Sequence, residues 1–263
     1  MGIEGFAERG VAGLMPGGRL SVPAGFERIR DGHMEIVARH DTRSWLVPVL
    51  RAAPHDWSGQ SVEHRRGGRG GVVTLHVNGR PCLIRAYRRG GLPAWLLRTL
   101  YFGRRPRPFR ELAVTESLRN RGVPVAEIYG AAVQWVLPGC YRGWIASRYI
   151  AEAATLWEWA HRQTATWDRN AVFRCVGQAV RVLHNAGGHH PDLNLNNILI
   201  YGSADSPEVC LIDFDRAHSE GTRLPQTELA RLERSTRKLD PQGQFITNDD
   251  LRLLHSSCAE KNA

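Results

Sequence analysis

Three oxygen-bearing side chains in the stretch HHPDLNLNNILIYGSADSPEVCLIDFDR, residues 189 to 216, stand at a spacing that suits phosphoryl transfer: Asp192, Asn197 and Asp213. Moving a phosphoryl group needs a carboxylate to take the proton of the attacking hydroxyl, and hard oxygen ligands for the Mg2+ that bridges the nucleotide phosphates of ATP. Asp192 suits the base, and Asn197 and Asp213 suit the metal ligands. Taken singly these residues say little, since a lone Asp192 is more readily a turn residue and Asp-Phe pairs are common. The weight lies in the joint pattern His190-x-Asp192-x-x-x-x-Asn197, followed sixteen positions later by Asp213-Phe214 at the end of an apolar run.

That spacing is the one a protein-kinase catalytic loop keeps from its metal-binding motif. Between the motifs, Asn197 to Tyr201 and Val209 to Ile212 are short apolar runs separated by a Gly/Ser/Asp/Pro turn. They read as a hairpin that returns Asp213 to the side of Asn197. Upstream, Val72 to Val77 and Cys82 to Tyr87 flank Asn78-Gly79, a strong hairpin signal. Ahead of them Gly67-Gly68-Arg69-Gly70-Gly71 would let backbone amides at Gly68 and Gly70 approach phosphate oxygens, although glycine clusters are usually only flexible turns.

A kinase also needs a cation on the next strand, paired with a helix glutamate. Arg85 stands where a lysine is expected, and no lysine precedes Lys238. Arginine and lysine are not interchangeable at such a site, so this departure keeps open an inactive kinase fold that acts as a binding module. A helix opening at Pro108 to Glu111 and running to Asn120, with Gly122 to stop it, offers Glu111 in its first turn as the partner of Arg85. Glu116 competes for that role.

Val123 onward reads as strands ending near Ile150, with 148 to 155 as the hinge against which an adenine would dock. The periodicity of Val172, Phe173, Val176, Ala179, Val180 and Leu183 predicts a long helix over Asp168 to Ala186, ended by Gly187-Gly188. Pro225 to Leu239 and Asn248 to Cys258 read as two further helices, the first with Leu229, Leu232, Thr236 and Leu239 on one face. The fold class expected is α+β, a two-lobed protein-kinase-like fold with a small β-rich lobe and a mainly helical one. Residues 58–150 would form the first lobe and 151–263 the second. Residues 1–57, rich in Gly, Pro and Arg, are expected to be loose or peripheral apart from the apolar stretch Trp45 to Leu50.

The chain's 263 residues, 42% of them hydrophobic, suffice for a real core, and its five cysteines contain no C-x-x-C pair that would suggest a zinc site. Neither a spanning helix nor a signal-peptide core is apparent, so a soluble or peripheral cytoplasmic protein is expected. A net charge of +9 favours an anionic partner, whether nucleotide, nucleic acid or acidic membrane face; of these, the nucleotide and the membrane face are expected and no nucleic acid. All but two of the 35 basic residues are arginines, an imbalance that a GC-rich genome produces as readily as function does. Between Arg88 and Arg107, arginines interleave with Trp95, Leu96, Leu97, Leu100, Tyr101 and Phe102, which suits an anionic membrane interface or an insert packed on the small lobe.

Several phrases together resemble one family. HPDLNLNNILI, LIDFDRA, LIRAYRRGG and RPFRELAVTESLRNRGVPVAE are similar to the Kdo kinases of Gram-negative bacteria, a lipopolysaccharide kinase family with a protein-kinase-like fold. The resemblance spans about Ser61 to Leu239. It implies ATP-dependent phosphorylation of a 3-deoxy-D-manno-octulosonic acid (Kdo) residue on a lipid A precursor at the cytoplasmic face of the inner membrane, with magnesium. Carried over residue by residue, it implies Asp192 as base, Asn197 and Asp213 as metal ligands, Arg85 and Glu111 as the phosphate-positioning pair, and Gly68 and Gly70 over the phosphates. A kinase of an aminoglycoside or free sugar is the alternative within enzymes.

Overall fold

Met34-Glu-Ile-Val-Ala38 is a nearly continuous apolar run, the pattern of a strand covered on both faces. In the computed structural model, which describes residues 21–52, 72–77, 79–88, 99–162, 167–215 and 226–259, it forms β2 (Met34–Arg39), paired antiparallel with β1 (Phe26–Asp31). Helix α1 (Arg43–Arg51) follows and buries Trp45, Leu46, Val49 and Leu50. Residues 26–51 are therefore built into the small-lobe sheet and core, in contrast to the loose segment expected from their Gly, Pro and Arg content. The reason is long-range: β2 pairs with β6 (Ile128–Leu137), about a hundred residues downstream, and that contact buries Ile36, Val37 and Ala38.

The predicted hairpin forms between β3 (Val72–Val77) and β4 (Arg80–Ala86), with Gly79 of its turn at φ +72. That left-handed conformation costs a glycine nothing sterically. The strands run β1-β2-β6-β7-β4-β3, with β7 (Cys140–Arg148) central and β5 (Tyr101–Phe102) attached to it. Across one face lies α2 (Arg107–Arg119), and a Cβ at Gly143 of β7 would come within 2.5 Å of the Pro108 ring. Glycine there lets the first turn of α2 approach the sheet closely.

The second half is mainly helical. β8 (Ala154–Thr155) leads into α3 (Leu156–Arg162), and α4 (Arg169–Asn185) begins where the Asp168 carboxylate accepts a 2.7 Å hydrogen bond from the Ala171 amide. The apolar stripe of α4 is buried as its spacing predicts, with Val172, Phe173, Val176, Val180 and Leu183 fully covered. At about 1.5–3 kcal/mol for each such side chain, the stripe contributes on the order of 10 kcal/mol of gross stabilisation, an upper figure that chain entropy offsets. Hairpin β9 (Ile198–Ser203) and β10 (Ser206–Leu211) pairs in register, and β8 completes a three-stranded sheet. Helices α5 (Gln226–Leu239) and α6 (Asn248–Ala259) close the lobe. The halves meet where the Leu211 amide donates to the Pro124 carbonyl at 2.8 Å, just before Ile212 and Asp213.

Candidate active site

Strand alternation in β4 buries Cys82 and Ile84 in the sheet core and turns Arg85 to the face that α2 covers. The Arg85 guanidinium holds the Glu111 carboxylate, with Nη2 2.6 Å from both oxygens, and its Nη1 lies 3.4 Å from Asp213 Oδ1. The Tyr87 ring packs 4.9 Å beneath it, and the Tyr87 hydroxyl donates to Glu111. Burial raises the Glu111 carboxyl above its ordinary range while the Arg85 charge opposes that rise. At Arg85 burial works against the charge, but Glu111 outweighs it and the guanidinium is held ionised. Because α2 starts at Arg107, Glu111 lies just beyond the first turn, one residue later than expected. Glu116 is elsewhere, accepting from the Ile128 amide at 3.3 Å.

The chain leaves α4 through Gly187, at φ +67, and Gly188, where a Cβ would collide with Leu183 and Leu118. It then enters a loop whose backbone is held largely by side chains, its own asparagines among them. The Asp192 carbonyl accepts from Asn194 Nδ2 at 2.8 Å and from Asn197 Nδ2 at 2.9 Å, while Asp192 itself is exposed. Since the nitrogen end of the Asn197 amide is engaged, its oxygen is the end left for a cation. The Ile212 amide donates to the Asn197 carbonyl at 3.0 Å, so the hairpin brings Asp213 back beside Asn197. Asp213 has φ +69, a conformation that aspartate tolerates better than most residues but that still costs about 1 kcal/mol or more. Its side chain is 41% exposed, Phe214 behind it is buried, and the Phe214 ring lies 4.5 Å from the His190 ring.

Arg85, Glu111 and Asp213 thus meet in one cluster, and Asp192 and Asn197 in an adjoining one. Gly68 and Gly70 lie outside the described residues, as do residues 89–98 of the arginine-rich stretch. Its remainder divides. Tyr101 is buried and stacks on Tyr141, and Arg107 reaches inward to Asp215 at 3.1 Å, whereas Phe102, Arg104 and Arg105 are exposed.

The positioning groups that the sequence did not assign to this site sit on α2 and α5. Arg107 and Arg110 of α2 both reach Asp215, Arg107 donating to its carboxylate and Arg110 to its backbone carbonyl at 3.4 Å. From α5, the Glu228 carboxylate has 0% exposure and takes hydrogen bonds from the His190 amide and from His184, with His189 Nδ1 as its third partner. Arg231, one turn on, donates to the Pro191 carbonyl. Burial disfavours charge on His184, yet hydrogen bonds to Cys258 and Glu228 outweigh it and raise this group to about 9. A signal for Glu228 exists: it falls at i−4 from Leu232 and i−8 from Thr236, so an acidic residue occupies a position on the buried stripe.

Residues 51–256 match the family model described as "Lipopolysaccharide kinase (Kdo/WaaP) family". A 3-deoxy-D-manno-octulosonic acid kinase of Xanthomonas oryzae pv. oryzae is 31% identical over 209 residues, covering 76% of this chain and 80% of that one. A protein of the same name from Xylella fastidiosa is 32% identical over 222 residues, covering 80% and 83%. Among solved structures, WaaP in complex with acyl carrier protein matches with a TM-score of 0.53 at 18% identity, over 86% of this chain and 89% of the other, a likeness of fold.

Proposed function

This chain belongs to the lipopolysaccharide kinase (Kdo/WaaP) family, and from that membership we propose that it transfers the γ-phosphoryl group of ATP to a hydroxyl of a Kdo residue on a lipid A precursor. The observation that supports this reading best is the meeting of Asp192, Asn197 and Asp213 next to the Arg85–Glu111 pair. In this mechanism Asp192 accepts the proton of the attacking hydroxyl as the new oxygen–phosphorus bond forms and the bond from the γ-phosphorus to the β–γ bridging oxygen breaks, ADP leaving with that oxygen; the exposure of Asp192 leaves it open to a bulky acceptor. Arg85, kept ionised and aimed by Glu111, grips nucleotide phosphate oxygens, and Gly68 and Gly70 cover them. Asp213 and the Asn197 oxygen form a hard-donor set that fits magnesium, which when bound neutralises charge on the transferring phosphates.

The cytoplasmic face of the inner membrane is the proposed site of action, and the +9 charge supports attraction to its anionic lipids. No helix among the described residues is long and apolar enough to cross a membrane. The test is transfer of labelled phosphate from ATP and Mg2+ to Kdo-lipid A precursor, with free sugars and aminoglycosides as competing acceptors. Transfer to the glycolipid alone is the expected result. Preferential transfer to a soluble acceptor would replace the substrate assignment, and no turnover on any acceptor would point to an inactive kinase fold. In the same assay Asp192→Asn should lower the rate by about 10² to 10⁴ with nucleotide affinity retained, whereas Asp213→Ala should lose magnesium-dependent nucleotide affinity. A rate within about tenfold of the parent for Asp192→Asn removes Asp192 from the base role.

A further inference from the structure

The sheet face that α2 covers is apolar where Val37 and Val133 pack with Phe109 and Leu112, and it turns basic along β1. Arg28 lies opposite Val37, Arg30 opposite Glu35, and Glu35 opposite Val133, so strand pairing places both arginines and the carboxylate on this same face. They form one wall of a cavity of about 390 Å³, and the segment entering α2, with Arg104 and Arg105, forms the other. None of Arg85, Glu111, Asp192, Asn197 and Asp213 lines it.

Four arginines here face one carboxylate, and that carboxylate is already tied into the wall. Arg28 holds Glu35 at 2.6 Å while lying over the Phe109 ring at 5.5 Å, and Trp135 Nε1 donates to Glu35 at 3.2 Å. Arg30 approaches it only at 3.5 Å and its side chain is 52% exposed. Arg104 and Arg105 are exposed and form no ion pair among the described residues. With Arg28 and Glu35 cancelling, three positive charges remain in surplus, one from β1 and two from across the cavity. Their mutual repulsion is relieved by an anion placed between them, and a concave wall strengthens that attraction.

Charge and size narrow the ligand. A phosphate monoester brings about 1.5 to 2 negative charges at neutral pH, short of the surplus, whereas two linked phosphate groups come closer to it. At about 30 Å³ per water the cavity has room for about a dozen, more than one phosphate fills and enough for a linked pair. Phosphate also directs three acceptor oxygens apart, so guanidinium groups can meet it from both walls, which a planar carboxylate suits less well.

We propose that this cavity is a binding site for a diphosphate group, gripped by Arg30, Arg104 and Arg105, while the Arg28–Glu35 pair braces the wall. The site goes beyond phosphoryl transfer and uses none of its residues, so it stands whether or not the kinase reading does.

Calorimetry with pyrophosphate in magnesium-free buffer containing EDTA tests the site apart from the nucleotide site, which depends on the metal. The parent protein should bind pyrophosphate at least about tenfold more tightly than inorganic phosphate or citrate. Arg104→Gln with Arg105→Gln, both exposed and outside the catalytic machinery, should weaken pyrophosphate binding about tenfold to a hundredfold with the melting temperature unchanged. Amide hydrogen exchange should show pyrophosphate protecting the β1–β2 hairpin and the segment entering α2. Equal affinity of parent and double variant overturns the site, and so does protection confined to the loop that bears Asp192 and Asp213. Phosphate or citrate binding as tightly as pyrophosphate overturns the diphosphate. The last arm identifies the source: co-sedimentation with phosphatidylcholine vesicles containing geranylgeranyl diphosphate, competed by pyrophosphate and lost in the double variant, assigns the group to a lipid, whereas pyrophosphate binding with those vesicles left unbound assigns it to a soluble molecule.

Discussion

Replacing Glu228 with Gln should loosen the catalytic loop without removing any group from the reaction. The carboxylate is fully buried and is the shared partner of His184, His189 and the His190 amide, so it fastens α4 and the start of the loop to α5. Gln keeps the size but loses the charge and turns one acceptor into a donor that faces its former donors. With hydrogen bonds to a charged group at about 1.5–3 kcal/mol each, and with a buried charge left on the histidine side, the loss should be about 3–5 kcal/mol. The pH dependence is a sharper test. The folded-state value of His184 is raised from 6.5 to about 9, so its contribution is fully present below about pH 6.5 and is lost as pH rises through about 9. At about 1.4 kcal/mol per unit that is at most about 3 kcal/mol, and screening at the exposed edge of the ring lowers it to about 1–2.

The assay is urea unfolding followed by tryptophan fluorescence at pH 6.5, 7.5, 8.5 and 9.5, together with steady-state kinetics. The parent should lose about 1–2 kcal/mol between the lowest and highest pH. Glu228→Gln should start lower and lose less than half as much over that range, Cys258 supplying the remainder. Its kcat should fall more than about tenfold while KM for ATP stays near the parent value, because the bonds removed hold the base-bearing loop and not the nucleotide. An unchanged pH slope, or a stability within about 1 kcal/mol of the parent, would refute the assignment of Glu228 as the clamp.

Two other substitutions test the neighbouring packing. Arg85→Ala leaves Glu111 buried without its counter-charge and should cost about 3–5 kcal/mol in urea unfolding along with activity, whereas Arg85→Lys should recover most of that stability and only part of the activity; equal behaviour of the two variants would remove the phosphate-gripping role. Gly177→Ala should destabilise by about 1–3 kcal/mol, since its Cβ would come within 2.4 Å of the Leu254 carbonyl and push α6 away from α4, and a melting temperature equal to the parent's would show that the helices can separate at no cost.

The elements that were legible in the sequence are those whose determinants lie within a few residues of one another. Asn78-Gly79 specifies its hairpin, the apolar stripe specifies α4, and the spacing of Asp192, Asn197 and Asp213 sets a loop in which the Asn194 and Asn197 side chains bond the nearby Asp192 carbonyl. Pairings across long separations were decided only by tertiary packing. The sheet position of β2 depends on β6, and the choice of Glu111 over Glu116 depends on which face of α2 meets β4, 26 residues upstream. Glu228 acquires its meaning from His190, 38 residues away, and Arg107 turns inward because Asp215 lies opposite it after the chain has folded. Local spacing limits which groups a short segment can bring together, through backbone geometry that varies little from one protein to another. Which buried charge finds which partner depends on how whole elements pack, and a Glu or Arg looks the same in the sequence whether it will face solvent or the core.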